Sequence, residues 1–300
     1  MFLQLWHCGR NSQPHLQPGG VLPFGPSATP PSPEIKVRPG RLPPVTPRAL
    51  EVSEIPGLLE DYRQAATRAM AAGFDAVEIH AGNGYLLDQF LRNSTNHRTD
   101  AYGGSPENRR RLLLQVAERY RRSGGPTASA CASRRRTEQA TVCSIAIRRP
   151  LFNCVVDGLQ ALGIGFIDVV EGETTDHPER TPFDFDELRA RFKGVYIANN
   201  RYTFESGNDA IRRGHADLVA FGRPYVANPD LVERFRLGAP LNEMRPETYT
   251  GKGHSGYTDY PALRRRMRPE SRFSAFFVTS WTLYYLGYSG RSMAAGVFAP

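Results

Sequence analysis

Two hydrophobic periods alternate along this chain, one of about 3.6 residues and one of continuous short apolar runs. Phe2 to Trp6 is such a run and predicts a strand. Ser53-Glu54-Ile55-Pro56 opens a helix predicted to reach about Ala72, with Leu58, Leu59, Tyr62, Ala65, Ala66 and Ala69 on one face and Gly73 as its stop. Asp75 to His80 then reads as a buried strand and Leu86 to Leu91 as a helix. Amphipathic helices are predicted again over Glu107–Tyr120, Phe152–Leu162, Phe185–Phe192 and Asn208–Arg213. Each of the last three leads into an apolar strand: Gly165–Glu171, Gly194–Ala198 and Ala216–Phe221. Residues 11–50, rich in Pro and Gly and without periodicity, predict a long surface loop.

Helix then strand, repeated with short connections, means a parallel sheet with crossover helices. A doubly wound sheet and a (β/α)8 barrel both fit that pattern, and the strand ends decide between them. His80, Glu171, Asn199 with Asn200, and Gly222 with Arg223 all stand just past the carboxyl ends of different strands. A barrel gathers those ends into one ring and keeps its active site there. No Gly-x-Gly-x-x-Gly turn follows any strand, which counts against a dinucleotide-binding sheet. The expected fold is therefore α/β, a (β/α)8 TIM barrel.

Composition changes this picture little. Three hundred residues with 40% apolar content can bury a substantial core. Cys8, Cys131, Cys143 and Cys154 show neither paired nor metal-site spacing, which suits a reducing compartment and gives no metal site. The opening residues have no basic leader and no small-residue cleavage site, and the last three form no peroxisomal address, so the cytoplasm is expected. Charge is more informative. The whole chain carries +8, yet residues 121–150 alone hold +6 and residues 262–300 hold +5, leaving the rest about −3. Basicity confined to two segments is a poor footprint for nucleic acid or an acidic membrane, so the expected partner is a small molecule. The oligomeric state is not legible.

The candidate chemistry starts at His80-Ala-Gly-Asn83-Gly-Tyr85. A His and an Asn three apart in a glycine-containing loop can aim two donors at one point, as a carbonyl oxygen gaining negative charge requires. Tyr85 could add a proton on the far side of the same substrate. For a lone His, the plainer reading is a strand-terminal side chain that bonds only its own loop.

The surrounding residues reverse that judgement. His80 through Tyr85-Leu-Leu-Asp-Gln-Phe-Leu91, followed by Asn96-His-Arg98-Thr99-Asp100-Ala-Tyr102-Gly103-Gly104 and Asn108-Arg109, resembles the signature of the Old Yellow Enzyme family of FMN-dependent ene reductases. The resemblance is strongest to the plant 12-oxophytodienoate reductases. Phe2-Leu-Gln4-Leu-Trp6-His-Cys-Gly9-Arg10 is similar to the family's third barrel strand, Leu218 to Leu231 to its eighth, and Gly256-Tyr257-Thr-Asp259-Tyr-Pro261 to its closing segment. It covers residues 1–120 and about 151–261.

The resemblance implies FMN as cofactor, NADPH as hydride donor and reduction of the C=C bond of an α,β-unsaturated carbonyl, of the oxylipin (jasmonate-type) kind. It implies that His80 and Asn83 bind the enone oxygen and that Tyr85 is the proton donor. Arg189 and Tyr257 would line the substrate pocket. Gln4 would meet the flavin's pyrimidine edge, and Gly222 and Arg223, with backbone amides around Asn200 and Arg201, would take the phosphate. Arg98 and Asp100 are read as a structural pair that holds the loop, and Trp6 as packing.

Three regions depart from the family pattern. The chain opens within the strand similar to the family's third, so an incomplete barrel without its first two strands is expected. Residues 121–150 show no fifth strand where one should follow Tyr120. Codons exist for Pro126 to Arg135 that encode Asp-Arg-Val-Gly-Val-Arg-Leu-Ser-Pro in a shifted frame, which fits a frameshifted stretch. Residues 262–300 read as a foreign, disordered tail, with an apolar run, Phe273–Leu286, too short and too interrupted for a membrane span. Arg201 also stands where relatives have Gly or Asn; if that site needs φ > 0, Arg costs about 1–2 kcal/mol. The domain reading is a truncated flavin-binding barrel over 1–261. The alternative function is a non-catalytic descendant unable to hold flavin.

Overall fold

The computed structural model describes residues 1–31, 43–122, 141–146, 151–171, 184–248, 253–263 and 294–295. In chain order its elements are β1 (Phe2–Trp6), β2 (Phe24–Gly25), β3 (Arg48–Ala49), α1 (Ile55–Ala71), β4 (Ala76–Ala81), α2 (Leu86–Leu91), α3 (Pro106–Arg122) and β5 (Thr141–Ala146). There follow α4 (Leu151–Ala161), β6 (Phe166–Val170), α5 (Phe185–Arg191), β7 (Val195–Asn199), α6 (Phe204–Arg212), β8 (Leu218–Ala220), α7 (Arg223–Ala227), α8 (Leu231–Leu237) and β9 (Ala294–Ala295). The chain divides into two compact units, one of Met1–Tyr196 together with β9, the other beginning at Ile197.

The first unit is built on strands in the order β6-β5-β4-β1-β9, parallel except for β9. Gln4 is in register with Glu78, and Leu5 with Ile79. Because side chains alternate across a strand, Leu3, Leu5, Val77, Ile79, Ile167 and Val169 share one face, and Phe2, Gln4, Trp6, Glu78, His80, Phe166 and Asp168 share the other.

The helices pack by their apolar stripes. α1 buries Leu58, Leu59, Tyr62, Ala66 and Ala69, and α3 buries Leu112, Leu113, Val116 and Tyr120. Their tyrosines meet, Tyr62 to Tyr120, at 6.0 Å between ring centroids. α4 comes close to α3 at Gly158, where an added Cβ would lie 2.7 Å from Leu114 Cδ1.

The sheet is curled. Phe2 on β1 and Phe166 on β6, with β4 and β5 between them, bring their rings to 5.1 Å. Across a flat sheet three strand spacings would separate their backbones by about 14 Å. The face that carries Gln4, Glu78, His80 and Asp168 is therefore concave, and both faces of β4 are buried along its whole length. This is the curvature of a barrel wall; among the described residues the strands do not close into a ring.

Two expectations are corrected by the structure. The place between β4 and β6, expected to lack a strand, is filled by β5, whose Thr-Val-Cys-Ser-Ile-Ala sequence has the β-branched content a strand favours. Of residues 121–150, read as a frameshifted stretch, residues 126–135, for which the shifted reading was written out, lie outside the described residues. The loop of residues 11–50 contains a short parallel pairing of β2 with β3. Of residues 262–300, read as a foreign tail, the described β9 pairs Ala295 with Leu5 and Ala294 with Trp6. Leu263 is also held, its amide donating to Asp230 Oδ2 at 2.6 Å; the apolar run Phe273–Leu286 lies outside the described residues.

In the second unit β7 and β8 are parallel, with Asn199 opposite Ala220. Buried Arg234 on α8 ties together the segment beyond β8: its guanidinium donates to Asp230 Oδ1 (2.7 Å), the Pro240 carbonyl (2.5 Å) and the Pro261 carbonyl (2.8 Å). Among the described residues no helix is long and apolar enough to cross a membrane.

Candidate active site

β4 ends at Ala81, and the chain turns at once through Gly82, Asn83 and Gly84 into α2. Asn83 and Gly84 both adopt left-handed backbone, φ 55° and 80°, and the Tyr85 amide closes the turn on the Gly82 carbonyl at 3.2 Å. Glycine adopts such φ freely and Asn is among the few other residues that tolerate it. The turn places Tyr85 at the start of α2, directly after the strand that carries His80.

Three rings then converge. His80 lies 5.2 Å from Tyr85 and 6.3 Å from Trp6, and Trp6 lies 5.4 Å from Tyr85. His80 is 2% exposed, and both its ring nitrogens are buried without a hydrogen-bond partner. Burial lowers its pKa to about 4, so the imidazole is neutral at physiological pH and keeps one N–H to donate. Gln4 Nε2, Trp6 Nε1 and Glu78 Oε1 on the same concave face are also buried and unpartnered. Buried polar groups are normally satisfied, so a cluster that is not marks a place prepared for a ligand.

A buried strap holds this arrangement. Gln89, fully buried in α2, donates from Nε2 to the Gly84 carbonyl (2.7 Å) and the Cys8 carbonyl (3.2 Å), and its Oε1 accepts the Arg10 amide (3.1 Å). Gly9 admits this approach: a Cβ there would stand 2.3 Å from Gln89 Oε1. Asp88 Oδ2 accepts the Gly84 amide at 2.7 Å and Arg92 Nε at 2.8 Å. The polar face of α2 thus grips the loops after β1 and β4, a role the sequence did not reveal.

Arg98 and Asp100 form the structural pair expected of them. Arg98 bonds Asp100 through Nε and a terminal nitrogen, and its other terminal nitrogen reaches the Pro26 and Leu50 carbonyls at 3.0 and 2.5 Å. Gly103 is obligatory beside them, since a Cβ would lie 2.2 Å from the Arg98 carbonyl oxygen.

The remaining candidates have other settings. Arg189 sits in the last turn of α5, donating to the Phe192 carbonyl at 3.0 Å and lying 5.9 Å over the Tyr196 ring; these contacts fasten helix to strand. Tyr196 in turn donates its hydroxyl to Glu171 Oε1 at 2.7 Å. In the second unit Asn200 and Arg201, just after β7, have φ of 103° and 58°. With Asn83 they are the non-glycine residues of positive φ among the described residues. Backbone strain of this kind collects at functional positions. Gly222 precedes α7 with open space around it, and Arg223 is exposed. Tyr257 lies in a turn closed by its amide on the His254 carbonyl, beside Asp259, which accepts from Gly256 and Arg245.

The family described as NADH:flavin oxidoreductase / NADH oxidase matches residues 1–242. The chain belongs to that family, the one that includes the Old Yellow Enzymes. It is 41% identical over 270 residues to "Putative 12-oxophytodienoate reductase 11" of Oryza sativa subsp. japonica, covering 87% of this chain and 72% of that protein. Identity to "12-oxophytodienoate reductase 2" of Arabidopsis thaliana is 38%, with 87% and 71% covered. Among solved structures, morphinone reductase in complex with tetrahydroNAD is similar at 39% identity and TM-score 0.75, with 89% of this chain and 74% of that one covered. The Old Yellow Enzyme homologue from Zymomonas mobilis is similar at 39% identity and TM-score 0.76, with 87% and 73% covered. These flavin oxidoreductase neighbours imply the (β/α)8 barrel architecture to which the curled sheet of the first unit conforms.

Proposed function

We propose that this flavin oxidoreductase is an ene reductase that saturates the C=C bond of α,β-unsaturated carbonyls, with FMN as cofactor and NADPH as reductant. The observation that carries the reading is His80: a neutral, buried imidazole with both nitrogens unpartnered, beside the strained Asn83 and within ring contact of Tyr85.

The residues of the first unit fit the cofactor. The Gln4 amide suits the pyrimidine edge of a flavin, being a donor and acceptor on the concave face. In the second unit Gly222, Arg223 and the amides around Asn200 and Arg201 are assigned to phosphate, since glycine lets backbone approach closely and Arg holds phosphate with two donors. When bound, FMN supplies the hydride, received from NADPH, to the substrate's β-carbon.

The chain's own residues do the rest. His80 and Asn83 each donate a hydrogen bond to the carbonyl oxygen and draw electron density from the alkene; held in a dry pocket, such donors act most strongly as charge builds on the oxygen. A neutral His80 donates here without giving up its proton. Tyr85 transfers its hydroxyl proton to the α-carbon and regains one from solvent. Arg189 and Tyr257 are assigned to the substrate's remainder, which we place in the oxylipin class by the names of the plant relatives.

Purified protein tests the reading. A yellow preparation that releases FMN on denaturation and oxidises NADPH when given cyclohexenone supports it. A colourless preparation that added FMN does not activate returns the chain to the alternative, a family member that no longer holds flavin.

A further inference from the structure

Tyr85, the proton donor of the proposed reaction, follows a turn whose last peptide plane is held at both ends. The Gly84 carbonyl accepts Gln89 Nε2 at 2.7 Å and Asn11 Nδ2 at 2.9 Å, which uses both of its lone pairs. At the other end of that plane the Tyr85 amide donates to the Gly82 carbonyl at 3.2 Å. One plane back, the Gly84 amide donates to Asp88 Oδ2 at 2.7 Å. Gln89 and Asp88 belong to α2, the helix that Tyr85 caps, so their bonds move with it. Asn11 does not. It stands in the loop after β1, where its own amide donates to the Cys8 carbonyl at 3.2 Å. β1 ends in Trp6, whose ring lies 5.4 Å from that of Tyr85. Asn11 thus ties the backbone of Tyr85 directly to the strand that carries Gln4 and Trp6.

The Asn11 carboxamide fits in one sense only. Nδ2 meets a carbonyl, while Oδ1 is buried with no hydrogen-bond partner; turned over, the group would set oxygen against oxygen. A buried acceptor left unpaired destabilises the fold, and an apolar side chain of the same shape would avoid that. We infer that Asn11 is a positioning residue for proton transfer: by fixing the Gly84–Tyr85 peptide plane it sets where the Tyr85 hydroxyl stands relative to the substrate's α-carbon. The inference rests on the ene-reductase reading above. Tyr85 enters α2 with extended backbone, φ −86° and ψ −179°, directly after left-handed Asn83 and Gly84. A rotation of the plane that joins these conformations swings the whole phenol, and a displacement of about 1 Å in a reacting group can cost about 10²-fold in rate. Without Asn11 the carbonyl keeps one donor, and the plane can pivot about it.

Asn11→Leu in the full chain tests this, since it keeps the shape, removes the bond to Gly84 and leaves no orphaned oxygen. Hydrogen exchange read by mass spectrometry follows the clamp whether or not flavin is bound. Peptides spanning residues 82–87 should exchange about ten-fold faster in Asn11→Leu than in wild type, and those from β4 at the wild-type rate. Rapid mixing with cyclohexenone reads the consequence. Asn11→Leu should slow reoxidation of the reduced protein by about ten-fold, with a larger rate ratio of H2O over D2O, and leave reduction by NADPH unchanged. In a Tyr85→Phe background the same substitution should change reoxidation by less than about two-fold, because the proton it positions is gone. Unchanged exchange over residues 82–87 overturns the proposal. So does equal slowing in the wild-type and Tyr85→Phe backgrounds, which would show Asn11 acting on the site as a whole. The stated exchange difference in a chain that reduces no enone sinks the ene-reductase reading and, with it, the link to proton transfer.

Discussion

Gln89 Nε2 donates to the Gly84 carbonyl at 2.7 Å, so a fully buried amide on α2 fixes the turn that presents Asn83 and Tyr85. Its other bonds, to Cys8 and Arg10, tie that turn to the loop after β1. Gln89→Leu keeps the volume and removes the bonds, leaving the Arg10 amide unsatisfied while the Gly84 and Cys8 carbonyls keep their bonds from the Asn11 side-chain and backbone N–H groups. The cost expected is about 1–3 kcal/mol, read as a lower urea midpoint with unchanged m-value. An unchanged midpoint would mean that the turn holds itself.

The site residues should separate by half-reaction. His80→Ala removes a donor to the developing oxyanion and should slow reduction of the enone by about 10²-fold or more. Tyr85→Phe removes only the proton and should slow the same half by about 10²–10⁴-fold. Neither change touches NADPH as donor, so rapid-mixing measurements should find reduction of the cofactor by NADPH near the wild-type rate in Tyr85→Phe. Equal loss in both halves would place Tyr85 in the structure of the site rather than in its chemistry.

Much of this was legible because short-range signals agree with the long-range fold. Phe2–Trp6 and Leu86–Leu91 are the same in sequence and structure, since an apolar run bounded by polar turns has one outcome, and the His80-Asn83-Tyr85 spacing survives because it lies within one turn. Asp88 and Gln89 were not legible. On a short helix they read as a wetted face, and only the loops of residues 7–10, some eighty positions away, bury them. Glu78 and Asp168 were hidden for a related reason: alternation marks one strand face as polar, and only the curl of the sheet turns that face inward. β5 was missed because Arg-rich sequence on either side masks its six residues.

Arg201 adopts φ 58°, so the strain foreseen for a residue standing where relatives have Gly or Asn is present. An L side chain in this region costs about 1–2 kcal/mol. Arg201→Gly relieves that cost but makes the unfolded chain freer, which takes back about 0.5–1 kcal/mol. The net expectation is a gain of about 0.5–1 kcal/mol, read as a small rise in thermal midpoint, whereas Gly in ordinary backbone would lower it. A fall on this substitution would show that the Arg201 side chain contributes more than its backbone costs.

Acid should destabilise the fold partly through His80. Its pKa is lowered from 6.5 to about 4 by burial alone, so in the folded protein it stays neutral over a range in which the unfolded chain takes up a proton. Above pH 6.5 both states are neutral and His80 adds no pH dependence. As pH falls from 6.5 toward 4 the unfolded state gains protons that the folded state refuses, and stability drops by about 1.4 kcal/mol per pH unit from this residue. Urea midpoints measured in steps through that window should decline more shallowly in His80→Asn than in wild type, with the two curves parallel above pH 6.5. Parallel curves throughout would mean that water reaches His80 and that the imidazole titrates normally, which would also remove the dry pocket on which its role as a donor depends.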